Sequence, residues 1–168
     1  FQYHEIFGVM TRWLMKVGIL APAFLVGYVA LVVIMQIARW RIVRALGGGA
    51  TQFIVSQLLF QLLAAGVGLG MYQFLQDSSF LPSNVSAVAM LCAIALWLEA
   101  RPIACAFALA VAGSFHLNYA PAVIVLWALL QAFDIKRHAP SQRFTRTFFI
   151  ASAIAIIPSL VNIALALG

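Results

Sequence analysis

The residues best suited to chemistry fall in one short run, His116-Leu117-Asn118-Tyr119, inside an otherwise apolar stretch. An imidazole, a carboxamide and a phenol withdrawn from water all need partners, because an unpaired buried polar group costs on the order of several kcal/mol. Three such groups in four positions suit a ligand, ion or proton site, which makes His116, Asn118 and Tyr119 candidate substrate-binding residues. In a second reading they pair with one another and with carbonyls freed by Pro121, and only stabilise a turn. Asp77, in Gln76-Asp77-Ser78-Ser79, is the candidate catalytic carboxylate. It can act as a base or hold a divalent cation, with Gln76 or Asn84 close by, although one carboxylate is a sparse metal site and a solvated loop aspartate is the plain alternative. His4-Glu5 can join that side, but Glu5 is more simply a helix-boundary residue. Gln57 and Gln61, four apart with Ser56 beside them, suit interhelical hydrogen bonds worth about 1 kcal/mol. Gly66, Gly68 and Gly70 follow no strand and precede no lysine, so they fit close helix packing rather than a nucleotide loop. The sequon Asn84-Val85-Ser86 abuts an apolar run and is taken as chance. No Ser-His-Asp, HExxH or CxxC arrangement is present.

What must position these groups follows from composition. Of 168 residues, 65% are hydrophobic and 8% charged, with a mean hydropathy of +1.05. Soluble domains are about half apolar and about a quarter charged. Ten basic and four acidic side chains cannot wet an 18.3 kDa globule. This excludes an ordinary soluble domain, a disordered tail and a disulfide scaffold, and the bilayer becomes the expected partner. The net charge of +6 does not indicate nucleic acid. The bases cluster between apolar runs (Arg39, Arg41, Arg44; Lys136, Arg137, Arg143, Arg146), as topology determinants beside anionic headgroups do. Cys92 and Cys105 lie inside apolar runs and read as small core residues.

The expected fold is all-α: a polytopic transmembrane bundle in one module, residues 1–168. Residues 1–16 place Tyr3, Ile6, Phe7, Met10, Trp13 and Leu14 at helical spacing opposite Gln2, Glu5, Thr11, Arg12 and Lys16. That pattern describes an amphipathic helix in the interface, a loop being the alternative. Uncharged spans are expected at 17–38, 53–75, 82–98 and 147–167, with Pro22 and Pro82 in first turns, Pro158 as a kink and Gly47-Gly48-Gly49 as a break.

Residues 102–133 are too long for one span and are interrupted by 113–121. With an external N-terminus, a single crossing there would put Lys136, Arg137, Arg143 and Arg146 outside, against the positive-inside rule. A hairpin leaves eight of the ten bases inside and only Arg12 and Lys16 outside. Arms of about 14 and 12 residues are short for full crossings, so the apex is expected within the membrane or a water-filled cavity, as a re-entrant or short helical hairpin. The expected location is a multi-pass plasma (inner) membrane protein with loops 39–52 and 134–146 cytoplasmic.

The order of elements resembles part of the GT-C superfamily, the polytopic glycosyltransferases that use polyprenyl-phosphate-linked sugars. The resemblance rests on the external amphipathic helix, the basic turn ARWRIVRALGGG, the acid-bearing loop QDSSFLPSN, the turn LEARP and the interrupted segment ACAFALAVAGSFHLNYAP. It is a pattern of architecture covering most of the chain. It implies that Asp77 occupies a second external acidic site, often metal-binding in that family, with Ser78 and Ser79 where another carboxylate would follow. It also implies that a first catalytic acid lies ahead of Phe1, making this chain an excerpt of a longer one, with the remainder or other membrane subunits as partners. The function so implied is sugar transfer from a polyprenyl-phosphate carrier. The other readings are a transporter or channel part with a mid-membrane site at His116, and a non-catalytic membrane subunit whose hairpin polar groups are satisfied internally.

Overall fold

A computed structural model describes residues 5–64, 80–137 and 146–167, with the backbone alone at 5–6, 60–64 and 135–137. All regular structure among the described residues is helical: α1 (Glu5–Val17), α2 (Leu20–Ala45), α3 (Ala50–Ala64), α4 (Pro82–Leu98), α5 (Pro102–Phe115), α6 (Tyr119–Arg137) and α7 (Arg146–Leu167). Two of them, α2 with 26 residues and α7 with 22, are long and apolar enough to cross a bilayer.

Backbone stereochemistry sets the turns. At the end of α2 the Gly48 amide donates to Val43 O (2.8 Å) and the Gly47 amide to Arg44 O (3.0 Å), with Gly47 at φ +83°. This is a Schellman closure, which needs a left-handed residue at that point. The Gly49 amide, at the start of α3, donates to Gln52 Oε1 at 2.9 Å. The same paired bonds close α1 at Gly18 (φ +75°) and α4 at Ala100 (φ +57°), after which Pro102 opens α5. These tight reversals make α2 and α3, and then α4 and α5, antiparallel neighbours.

Helix α5 is the hub. It packs most extensively on α4 and α7 and also on α6, while α2 covers the far side of α4. The main core joins Ala93 of α4, Cys105, Ala106, Leu109 and Ala112 of α5, Val123, Trp127 and Leu130 of α6, and Ala151 and Ala155 of α7. Small residues let the backbones approach. Ala151, Ala155 and Ser159 recur every four positions, forming the fully buried stripe of α7. Where this stripe reaches Gly113 the contact is tightest, since a Cβ on Gly113 would lie 2.0 Å from Ser159 Oγ. A second cluster places Leu31 and Met35 of α2 against Val88 of α4. No residue of α4 is exposed, which explains a helix that is apolar on every side. By contrast, Leu25, Val26, Val29, Val33, Ile34 and Ile37 stand exposed along α2, and Ile150, Ile157, Leu160 and Val161 along α7.

The interruption of 102–133 is a fold-back: α6 runs antiparallel to α5, and Trp127 Nε1 donates to Ser152 Oγ of α7 at 3.1 Å. Two details differ from the sequence expectation. The break spans only 116–118, because Gly113 to Phe115 stay helical and Pro121 falls in the first turn of α6. Helix α6 also runs past 133 to Arg137, since basic residues suit a helix C-terminus and do not end it. The expected span 53–75 is described as helix to Ala64, and its remainder, with Gly66, Gly68 and Gly70, lies outside the described residues.

Gly113→Ala is expected to cost about 1–3 kcal/mol through overpacking. A lowered thermal midpoint in detergent, partly restored by adding Ser159→Ala, checks it; an unchanged midpoint would contradict the close approach.

Candidate functional site

The bundle has two chemically distinct ends. One gathers the starts of α2, α4 and α6 with the ends of α5 and α7. Here Phe7 of α1, Phe24 of α2 and Phe80, just ahead of α4, form an aromatic cluster with ring centroids 5.5–5.8 Å apart. Phe80 closes over Gly27, where an added Cβ would lie 2.9 Å from its ring. Helix α1 therefore crosses this end with its Phe7 side on the bundle, leaving Val9 and Trp13 exposed.

The fold-back turn sits at the same end. His116 is extended (φ −145°, ψ 120°) and its Nδ1 accepts the Asn118 backbone N–H at 3.2 Å. Its ring meets Tyr119 edge-to-face, with centroids 5.5 Å apart. The Tyr119 amide donates to His116 O and the Ala120 amide to Leu117 O, both at 3.0 Å. Of the three predicted binding residues, the structure thus joins His116 with Tyr119, while the Asn118 side chain is exposed. The carbonyls that the sequence reading ascribed to Pro121 are not freed, because Leu117 O is already engaged. Asp77, the candidate catalytic and metal residue, lies outside the described residues, as does its neighbour Gln76.

Residues that sequence reasoning passed over secure this turn. A helix that stops inside a bundle leaves its last carbonyls without intrahelical donors. Ser86 Oγ of α4 donates to Ala112 O and Asn162 Nδ2 of α7 donates to Gly113 O, each at 2.8 Å. Ser159 and Asn162, three apart inside an apolar span, were the legible signal, since polar side chains there need partners. Asn84 and Ser86 are both buried, so the sequon is closed to modification.

The opposite end carries the bases. Arg41 grips Glu99 through two parallel hydrogen bonds, tying the ends of α2 and α4 together. The hydrogen bonds from Arg41 hold the Glu99 carboxyl below its usual range, and those to Glu99 push the guanidinium up. Arg39 donates to Gln57 Oε1 of α3 at 2.6 Å, so the glutamine serves interhelical packing as expected of it. Trp40 stacks edge-on against Phe53 and receives the Arg44 guanidinium over its ring at 5.7 Å. Cys92 and Cys105 are free thiols.

Among the described residues no three His, Cys, Asp or Glu side chains come together as a metal would require. No protein-family model, curated protein or solved structure matches this chain.

A carboxylate with a depressed pKa contributes stability above its ordinary titration range and loses it as the pH falls through the depressed value. The thermal midpoint of the native chain should therefore drop on acidification further than that of Glu99→Gln, and identical pH profiles would contradict the pairing.

Proposed function

We propose that the chain is a multi-pass membrane module, with its basic end cytoplasmic and its aromatic end external, acting in sugar transfer from a polyprenyl-phosphate carrier. Membrane placement is supported by the exposed apolar flanks of α2 and α7, an unusual surface for a protein in water. It is supported too by the collection of Arg39, Arg41, Arg44 and Arg101 at one end. The observation that carries the catalytic reading is the shared end of two elements. Phe80, three residues after Asp77, and the His116 turn belong to the same face of the bundle.

In this reading the acceptor hydroxyl attacks the anomeric carbon as the bond from that carbon to the phosphate oxygen breaks. The acceptor proton goes to a base elsewhere in the complete protein, and the carrier phosphate leaves with the bonding electron pair. Asp77 would serve by holding a divalent cation that offsets the charge of the departing phosphate, since a bare carboxylate would repel it, and His116 and Tyr119 would position the sugar. Asp77 lies outside the described residues, and among those described no three His, Cys, Asp or Glu side chains come together.

A second reading, a non-catalytic packing subunit, is favoured by the engagement of His116 Nδ1 and the Tyr119 ring within their own turn. Reconstitution of the complete protein with a labelled polyprenyl-phosphate hexose separates the two. Asp77→Asn should lower turnover at least about a hundredfold, whereas unchanged turnover would remove Asp77 and the transfer reading with it.

A further inference from the structure

The described surface holds a groove at the basic end, remote from the His116 turn. It has a volume of about 460 Å³ and is lined by Arg101, Pro102, Ile103, Ala104 and Phe107 of the α4–α5 corner and by Thr147 of α7. Its wall is amphiphilic in order. Arg101 lines it beside Ile103 and Phe107, and the same ridge of α5 continues beyond the groove to Val111, the three apolar residues recurring every four positions and 42%, 57% and 42% exposed. Four-residue spacing lays those side chains along one ridge of the helix. The ridge runs from the charged end toward the middle of the bundle for about 12 Å. On the other side of the groove Thr147 offers a hydroxyl, next in sequence to the exposed Arg146.

The Arg101 guanidinium makes no side-chain hydrogen bond or ion pair among the described residues: Glu99, the nearby acid, is gripped by Arg41 and feels Arg101 only as a weaker through-space attraction. A guanidinium at the mouth of an apolar channel matches a molecule with an anionic head and a hydrocarbon tail. A free anion would leave the ridge uncovered, and a neutral lipid would leave Arg101 without a counter-charge.

We infer that this groove is a binding site for an anionic phospholipid, its phosphate held by Arg101 and the Thr147 hydroxyl and one acyl chain lying along Ile103, Phe107 and Val111. A planar guanidinium takes two phosphate oxygens at once, and charge-assisted bonds of this kind are the strong ones. The hydroxyl adds a third donor, and chain burial against the ridge adds the apolar contribution. The lipid would fasten the α4–α5 corner to the start of α7, two elements that meet at this groove. The inference needs the chain to sit in a bilayer, but it is independent of sugar transfer.

The test uses the complete protein in a neutral maltoside detergent, with lipid binding read by native mass spectrometry and by the thermal midpoint. The probes are dioleoyl phosphatidylglycerol, dioleoyl phosphatidylcholine and free glycerol phosphate. Phosphatidylglycerol should bind in preference to phosphatidylcholine, and Arg101→Gln should weaken it about tenfold, a loss typical of one charge-assisted contact. Phe107→Ala should weaken it about threefold or more without changing selectivity between headgroups, and Arg12→Gln, on α1 at the other end, should leave it unchanged. Equal binding of the two phospholipids, equal binding by Arg101→Gln, or equal stabilisation by free glycerol phosphate would each overturn the inference. Because binding is read without turnover, a loss of the transfer reading would leave these results standing.

Discussion

A helix that ends inside a bundle must find donors for its last carbonyls, and this requirement at the end of α5 governs much of the structure. Ala112 O and Gly113 O are answered by Ser86 and Asn162, one from each flanking helix. Both donors have short side chains, so α4 and α7 must lie close to α5 on opposite sides. That closeness is what the alanines, Cys105 and Gly113 permit. The polar requirement and the small-residue stripe are one constraint seen twice. Together they fix where the chain can reverse, and so place His116 and Tyr119 at the end shared with the aromatic cluster.

The other end is held by different physics. Two helix exits there use left-handed residues, Gly47 after α2 and Ala100 after α4, and Ala100 accepts a strained conformation costing on the order of 1–2 kcal/mol. Immediately before Ala100, Glu99 is gripped by Arg41, so a strained turn and a two-pronged ion pair fall on adjacent residues. An exposed ion pair contributes little to stability on its own. Its value here is register, since it pins the end of α2 against the end of α4. With Phe24 of α2 packed on Phe80 ahead of α4 at the turn end and Arg41 on Glu99 at the basic end, the parallel course of α2 and α4 is specified at both extremities.

Much of this was legible because it is local. Pro82 and the run Leu98-Glu99-Ala100-Arg101-Pro102 bracket α4, and its observed limits are those expected. The fold-back followed from counting charges, an argument that needs no contacts. The width of the break was misjudged because Gly and Pro ordinarily mark irregular backbone. Gly113 instead remains helical to admit Ser159, and Pro121 costs nothing in a first turn. The partners of the α5 carbonyls were not legible, as pairing Ser86 with residue 112 and Asn162 with residue 113 requires tertiary register. Of the candidate site, the His116–Tyr119 contact was anticipated as a turn, and Asp77 falls outside the described residues.

Central to the proposed membrane placement is that the fold-back of α5 and α6 enters and leaves the bilayer on one side. Single cysteines at positions 44, 118 and 146, in a chain whose Cys92 and Cys105 are replaced by alanine, test it directly in sealed vesicles. An impermeant maleimide should reach 44 and 146 from the same compartment, with 118 protected from that side. Labelling of 44 and 146 from opposite compartments would contradict the account.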